Sequence, residues 1–272
     1  MSAPRVLAFD SGFGGLTVFR PLAAARPDID LIYLADDAMF PYGRLGDAAL
    51  VARVSEIVGA AIAQFAPDLV LIACNTASTL ALAPLRLAHP ATPFVGTVPA
   101  IKPAAAASRT RRISVLATAA TVARDHTRQL IADHAGGCFV DLVAAPNLAA
   151  QAERHVRGQA IDAALVDREI GPAFVDAEGR RTDAVVLACT HFPLLLDVLR
   201  ERARWPVAFV DPGEAIARRV NSLLPPAEGR AKGARSFALT SAAPVEAALA
   251  RHLETVGIEG PPIRLRAPVA SD

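Results

Sequence analysis

The chain has 272 residues and a formal net charge of +1, and its basic residues form no block with interleaved aromatic residues. This length suits one large or two medium domains, and the near-neutral charge argues against a nucleic-acid-binding protein. Hydrophobic residues make up 53% of the chain and aromatic residues 5%, which favours helices packed on an aliphatic sheet and argues against disorder.

Three features predict a cytoplasmic protein. The first strand follows Met1–Pro4 with no secretory signal before it. Apolar runs such as Leu69–Ala73 are far shorter than the roughly 20 residues that a membrane-spanning helix needs. The three cysteines, Cys74, Cys138 and Cys189, contain no Cys-x-x-Cys pair, as expected for free thiols in a reducing compartment.

Short β-branched runs alternate with helical patterns along the whole chain, which predicts βαβ units and parallel sheets. The clearest helix spans 47–65, where apolar residues recur on one face. The predicted strands, in chain order, are 5–10, 31–35, 69–74, 112–117, 139–143, 183–188, 207–210 and 236–240.

Two segments of the chain share one frame. Asp68 and Asp183 each precede an apolar strand that ends in Ala-Cys, so that Cys74 and Cys189 follow their aspartate by six positions. A fainter likeness pairs the first and the fourth predicted strands. These pairs favour two similar α/β halves that face one another, although any two βα units look alike at this level.

Both cysteines of these frames lie at the carboxyl end of a predicted parallel strand, where we expect a helix to begin. Ligands of open α/β sheets bind at that edge, and a helix N-terminus lowers the pKa of a thiol. The alternative is that a free cysteine is a small buried apolar residue, which is our interpretation of Cys138.

If Cys74 and Cys189 face one another across a cleft, a thiolate on one side could remove a proton from a carbon acid and a thiol on the other could return one. That is stereoinversion by general acid–base catalysis without a cofactor. Pyridoxal phosphate would need a Schiff-base lysine, and Lys102 and Lys232 are poor candidates. A zinc site at Cys189 and His191 lacks the usual spacing and partners.

Short polar residues follow the predicted strands. The loop Asp10–Gly15 half matches a dinucleotide fingerprint, but Thr17 stands where the third glycine would be. Such a loop could hold a carboxylate with its N–H groups, and a plain β-turn explains it equally well. The other polar residues that follow strands are Asn75, Thr76, Thr118, Thr121, Thr190 and His191. Each of them could cap a helix, or together they could bind an amino-acid zwitterion. His191 could also tune the Cys189 thiol.

Taken together, these motifs resemble the glutamate racemases. The segments that carry the resemblance follow the order found in that family and are Phe9–Val18, Pro41–Gly43, Ala73–Ser78, Ala188–Leu195 and Val210–Glu214. Two positions depart from the family pattern: the residues before Glu153 differ, and His126 replaces a common tyrosine. Neither change touches the two cysteines.

The resemblance implies roles for individual residues. Cys74 and Cys189 would be the two acid/base residues, assisted by Asp10, His191 and Glu153. The residues implied to bind the substrate are Asp10, Ser11, Pro41, Tyr42, Gly43, Asn75, Thr76, Thr118, Thr121, Thr190 and His191. The resemblance also implies a reaction without a cofactor or a metal.

The resemblance also implies a fold and a function. Two doubly wound α/β domains, residues 1–98 with 210–272 and residues 99–209, would be related by pseudo-twofold symmetry, with the active site in the cleft between them. The enzyme would supply D-glutamate for peptidoglycan synthesis, and its partners would be the small-molecule substrate and, as an open question, a second copy in a homodimer. The alternatives are a racemase of aspartate or another amino acid, and a non-catalytic two-lobed binding protein.

Overall fold

The protein is described by a computed structural model that covers residues 3–225 and 232–265. The chain divides into two compact units. The first unit consists of the described residues of Met1–Thr97 and Gly213–Asp272, and the second unit is Val98–Pro212. The sequence predicts the two unit boundaries after residues 98 and 209, close to those observed.

The strands are numbered in chain order. They are β1 Arg5–Asp10, β2 Asp30–Ala35, β3 Leu69–Ile72, β4 Phe94–Gly96, β5 Arg112–Ala117, β6 Phe139–Ala144, β7 Asp176–Ala177, β8 Arg180–Arg181, β9 Ala184–Leu187, β10 Ala208–Val210, β11 Arg235–Leu239 and β12 Ile263–Arg264. All eight predicted strands are present within two residues at each end. The sequence analysis missed the other four strands, which are short: β4, β7, β8 and β12.

The α-helices are numbered in the same way. They are α1 Leu16–Ala25, α2 Asp47–Phe65, α3 Asn75–Ala88, α4 Ile101–Ala107, α5 Ala119–Val122, α6 Asp125–His134, α7 Leu148–Val156, α8 Ala163–Ile170, α9 Leu196–Glu201, α10 Gly213–Leu223 and α11 Ala247–Glu254. Helix α2 has the bounds that its apolar periodicity predicted.

Each unit is built on a parallel sheet, which confirms the predicted α/β class. The sheet of the first unit has the strand order β12-β11-β2-β1-β3-β4, and that of the second unit has the order β10-β9-β5-β6. Strands β7 and β8 form a separate antiparallel pair. In both main sheets the chain leaves the first strand to one side and later returns to its other side, which creates a topological switch point.

The two switch points are equivalent within their units. The order β2-β1-β3-β4 corresponds to β6-β5-β9-β10. Phe9 pairs with Ile72 at the end of the first strand pair, and Leu116 pairs with Leu187 at the end of the second. The next residue, an alanine in each case, donates its N–H back across the pair over 2.7 Å in the first unit and 2.9 Å in the second. The internal likeness seen in the sequence is therefore a likeness of topology and register.

Helix α2 carries one apolar face. Among the described helices it alone has both the length, 19 residues, and the hydropathy of a membrane span. That apolar face packs in the core of the first unit, and its buried residues are Leu50, Val54, Ile57, Val58, Ala61 and Phe65. The exposed Glu56 lies away from that face, and the half-buried Arg53 lies beside it.

Gly15 lets helix α1 start in close contact with the ends of β1 and β3. A Cβ at this position would lie 2.9 Å from the Asp10 Cβ, 3.0 Å from the Ala73 Cβ and 3.0 Å from the Tyr33 hydroxyl. The close helix–strand approach that a third glycine provides in dinucleotide-binding loops is thus provided here by Gly15, two residues before Thr17.

Replacing Gly15 with alanine should therefore destabilise the first unit. The new methyl group must displace α1 or the strand ends, and overpacking of this kind costs about 1–3 kcal/mol. Urea unfolding of the purified variant measures this loss. Gly46→Ala is the matched control because a Cβ there meets no atom within 4 Å. Equal stability of the two variants would contradict the packing role of Gly15.

Candidate active site

Cys74 lies at the switch point of the first unit, directly before helix α3. Its backbone is extended (φ −82°, ψ 124°), and the side chain is 5% exposed. Its Sγ is 3.7 Å from the Ser11 Oγ, which begins the loop after β1. A helix N-terminus favours negative charge, so this is a suitable position for a thiol that alternates with thiolate.

Asp10 is the last residue of β1 and is fully buried. Its Oδ1 accepts the N–H of Gly12 over 2.8 Å, and the Tyr33 hydroxyl donates to the Gly12 carbonyl over 2.7 Å. These bonds fix the loop that contains Ser11. The sequence therefore predicted a turn here correctly, and the turn is anchored by a buried carboxylate.

Asn75 and Thr76 form the first turn of α3, and both side chains are buried. Neither the amide nitrogen nor the amide oxygen of Asn75 has a hydrogen-bond partner among the described residues. Leaving buried polar atoms unpaired is costly, so such a side chain marks a place where a ligand can complete the hydrogen bonding.

Pro41, Tyr42 and Gly43 lie at a short 3-10 turn, Tyr42–Arg44. Tyr42 is buried and its hydroxyl donates to the Asp36 carboxylate over 2.6 Å, whereas Gly43 is exposed. Burial and the Asp36 carboxylate raise the pKa of Tyr42 far above its usual range, so the phenol keeps its proton. The hydroxyl hydrogen is thus used within the protein, and any substrate contact at this turn would come from other groups.

Asp36 is a buried residue that the sequence analysis missed. It directly follows β2 and accepts two hydrogen bonds from the Arg53 guanidinium, over 2.9 and 2.7 Å, and one from the Thr240 hydroxyl over 2.6 Å. Burial alone would raise the pKa of Asp36, but hydrogen bonds from Arg53, Thr240 and Tyr42 hold it below its usual value. The Pro41–Gly43 turn is thereby tied to α2 and to the end of β11.

Cys189 lies at the switch point of the second unit, two residues after β9, and is 7% exposed. The sequence analysis expected a helix to begin at this cysteine. Instead Thr190 and His191 follow, then a 3-10 turn at Phe192–Leu195 and only then α9. Pro193 stands near the start of that turn, where its fixed φ suits a helical first turn. All three cysteines are free, as predicted, and Cys138 is only half-buried.

His191 forms a buried pair with Glu153 of helix α7. The His191 Nε2 and the Glu153 Oε1 are 2.9 Å apart, and the two side chains are 3% and 9% exposed. Arg157, one turn further along α7, places its Nε 3.4 Å from the other carboxylate oxygen. The sequence analysis named both His191 and Glu153 but did not predict their contact, because they are 38 positions apart in the chain.

Thr118 and Thr121 flank the short helix α5 after β5. The Thr118 hydroxyl caps this helix by accepting the Thr121 N–H over 3.3 Å, and the two hydroxyl oxygens are 3.0 Å apart. The capping interpretation therefore holds for Thr118. A hydroxyl can donate one hydrogen bond and accept two, so these two threonines can cap the helix and still bind a ligand.

Ten of the predicted residues therefore form two groups, one in each unit, while Pro41, Tyr42 and Gly43 lie at their own turn and Glu153 lies on α7. The group of the first unit lies at the carboxyl ends of β1 and β3 and consists of Asp10, Ser11, Cys74, Asn75 and Thr76. The group of the second unit lies at the carboxyl ends of β5 and β9 and consists of Thr118, Thr121, Cys189, Thr190 and His191. Within residues 3–225 and 232–265, no cluster of three His, Cys, Asp or Glu side chains could hold a metal ion.

Comparison with known proteins identifies the family. Residues 18–220 match the family model described as Asp/Glu/hydantoin racemase. The chain belongs to this family. It is therefore an isomerase that racemises an amino acid, as the sequence predicted.

Relatives within the family are glutamate racemases. The protein of that name from Brucella canis is 56% identical over 220 residues, which covers 81% of this chain and 79% of the relative. The Escherichia coli glutamate racemase, solved in complex with L-glutamate and the activator UDP-MurNAc-Ala, has 35% identity and a TM-score of 0.85 and covers 98% of this chain and 99% of its own. The enzyme from Aquifex pyrophilus has 26% identity and a TM-score of 0.73, with coverages of 96% and 98%.

Proposed function

We propose that this racemase interconverts L- and D-glutamate by a two-base mechanism in which Cys74 and Cys189 exchange protons with the substrate α-carbon. The observation that supports this proposal is the equivalence of the two thiols. Each follows the central strand pair of its unit at the same register position, at the edge where open α/β sheets bind ligands.

The chemistry requires one thiol at each face of the α-carbon. One cysteine, as thiolate, takes the α-proton, and the electron pair of the broken C–H bond passes into the substrate carboxyl group. The other cysteine, as thiol, gives its proton to the opposite face of the carbon. The configuration is then inverted, and the protonation states of the two cysteines have been exchanged.

Different neighbours would assist the two thiols. On the Cys74 side, the Ser11 hydroxyl lies 3.7 Å from the sulfur and the buried Asp10 carboxylate fixes the loop that presents it. On the Cys189 side, His191 follows two residues later and is paired with Glu153. The Glu153 carboxylate holds the imidazole in one orientation, which suits a side chain that assists proton transfer at the neighbouring cysteine.

Substrate binding would use the short polar groups of both switch points. We assign this role to Asp10, Ser11, Asn75, Thr76, Thr118, Thr121, Thr190, His191 and the turn at Pro41, Tyr42 and Gly43. The first N–H groups of a helical turn lack partners within it and suit a substrate carboxylate, which gives the exposed Gly43 a role through its backbone. Glutamate is the substrate favoured by the relatives' names.

Asn75 provides a test of this assignment. Replacing it with alanine should raise KM for both enantiomers and lower kcat/KM by about 10- to 100-fold, the usual worth of a hydrogen bond to a charged group. Thr79→Ala is the control on the same helix, because Thr79 is exposed and its hydroxyl donates to the Asn75 backbone carbonyl over 3.0 Å. An Asn75→Ala enzyme with unchanged KM would remove Asn75 from the substrate site.

We further infer that the enzyme works in the cytoplasm, supplies D-glutamate for peptidoglycan synthesis, and needs neither pyridoxal phosphate nor a metal. It would act without nucleic-acid or membrane partners, as a monomer or a homodimer. Activity that survives dialysis against EDTA and treatment with hydroxylamine is expected. Loss of activity that a divalent metal or pyridoxal phosphate restores would contradict the cofactor-free mechanism.

Substrate identity is tested by circular dichroism of the purified enzyme with each enantiomer of glutamate and of aspartate. We expect the signal of both glutamate enantiomers to decay to zero, at initial rates far above those for aspartate. Faster decay with aspartate would show that aspartate is the substrate and would leave the proposed mechanism intact. No decay with either amino acid would contradict both the proposed substrate and the proposed mechanism.

A further inference from the structure

The second unit contains an open groove at the amino-terminal edge of its sheet, with a volume of about 840 Å³. Trp205 lines it and donates its indole N–H to the Thr182 carbonyl over 2.8 Å, two residues before β9 begins. Cys189 lies beyond the other end of that strand, whose four residues span roughly 13 Å. We call this feature the Trp205 groove; the residues proposed for racemisation do not line it.

Buried hydrogen bonds hold the walls of the Trp205 groove in place. The fully buried Ser114 hydroxyl of β5 donates to the Ala173 carbonyl over 2.7 Å. The buried Thr182 hydroxyl accepts the Val175 N–H over 3.1 Å. The groove walls are therefore anchored to the central strand of the sheet, as expected of a preformed site.

The half-buried Trp205 indole gives the groove a flat apolar surface. The buried Phe174 ring is perpendicular to the indole, with centroids 5.4 Å apart, and the Arg181 guanidinium lies over the indole ring, 4.7 Å from its centroid. Pro172 adds further apolar surface to the lining. Such a surface suits a planar ring, because aromatic faces stack and bury large apolar areas.

The charges of the groove favour an anion. Its two carboxylates are neutralised by neighbours, since Asp167 pairs with Arg202 over 2.7 Å and Asp176 pairs with Arg181 over 2.8 Å. Its two arginines, Arg168 and Arg204, have no acidic partner among the residues that the structure describes. Guanidinium groups bind phosphate and carboxylate in a bidentate way, so these two can hold an anionic group.

We propose that the Trp205 groove binds a small organic anion with a flat ring, the ring resting on Trp205 and the anionic group on Arg168 and Arg204. A phosphate ester of an aromatic or heteroaromatic molecule fits this description. The volume lies within the range of small-molecule sites, and the ligand would bind whether or not the enzyme holds glutamate.

Trp205 is the only tryptophan of the chain, so fluorescence excited at a tryptophan-selective wavelength reports on this groove alone. Adenosine 5′-monophosphate is the probe, with adenosine and inorganic phosphate as its two halves. We expect saturable quenching by the monophosphate with a Kd of about 1 mM or below, and at least roughly tenfold weaker effects of either half. Equal quenching by adenosine, or no saturable quenching at all, would overturn the proposal.

Two variants locate the binding. The double variant Arg168→Gln with Arg204→Gln should weaken the monophosphate at least about tenfold and leave racemase activity unchanged. Arg200→Gln, which removes a guanidinium that is 62% exposed and paired with Asp197 in the same unit, should leave the affinity unchanged. Unaltered affinity in the double variant, or competition between the monophosphate and glutamate, would place the ligand elsewhere and overturn the proposal.

Discussion

Replacing either Cys74 or Cys189 with serine is expected to lower kcat/KM by about 10²- to 10⁴-fold, the usual worth of a positioned acid or base. Serine preserves shape, but its hydroxyl is a far weaker acid than a thiol, whose reference pKa is about 8.5. The loss must be equal for L- and D-glutamate in kcat/KM, because the two enantiomers have the same free energy in solution.

Cys138→Ser is the matched control for both variants. Its Sγ lies 3.9 Å from the Ala105 carbonyl and takes no part in either switch point, so the variant should keep wild-type activity. Near-normal activity of Cys74→Ser or Cys189→Ser, in both directions, would show that racemisation does not need two thiols.

Replacing Asp36 with alanine should give the largest loss of stability among the site residues. The change leaves the buried Tyr42 hydroxyl without its acceptor and removes both hydrogen bonds of the Arg53 guanidinium to Asp36, although Glu56 remains 3.7 Å away. Breaking a buried ion pair from one side costs about 3–5 kcal/mol, and because Arg53 is 24% exposed we expect the lower part of that range. Urea unfolding measures the difference, and Asp125→Ala, which removes a fully exposed partner of Arg128 at the start of α6, should change the stability far less.

The stability loss of Asp36→Ala should depend on pH. The pKa of Asp36 is lower in the folded protein than the ordinary value of 3.8, so the ionised carboxylate stabilises the fold above that value. This contribution is lost as the pH falls through the folded-state pKa. The stability difference between wild type and variant should therefore be constant above about pH 5 and shrink below about pH 4. A difference that grows on acidification would contradict the assigned direction.

The two cysteines could be found from the sequence because each is preceded, six positions earlier, by an aspartate that holds the start of a strand in place. Asp68 accepts the backbone N–H of Arg5 over 2.7 Å at the start of the β1–β3 pair. Asp183 accepts the Ser108 hydroxyl over 2.6 Å and the backbone N–H groups of Arg109 and Thr110. Each aspartate fixes the start of a strand that ends two residues before a cysteine, so the pattern in the sequence reflects strand placement.

Asp36 could not be found in the same way, because its partners are distant in the chain. Arg53 follows 17 positions later, and Thr240 is 204 positions away. One local signal was present: two aspartates, Asp36 and Asp37, stand directly after a buried strand, at the edge where functional groups gather. The missed strands β4, β7, β8 and β12 have only two or three residues, too few to establish a period-two pattern.

The most direct test of the two-base account is proton NMR and mass spectrometry of L-glutamate racemised in D₂O, sampled at low conversion. If different thiols act on the two faces of the α-carbon, the new D-glutamate carries deuterium at that carbon. The remaining L-glutamate should then still carry hydrogen there. Rapid deuteration of the remaining L-glutamate, or D-glutamate that retains the original hydrogen, would mean that a single group removes and returns the proton, and would contradict the account.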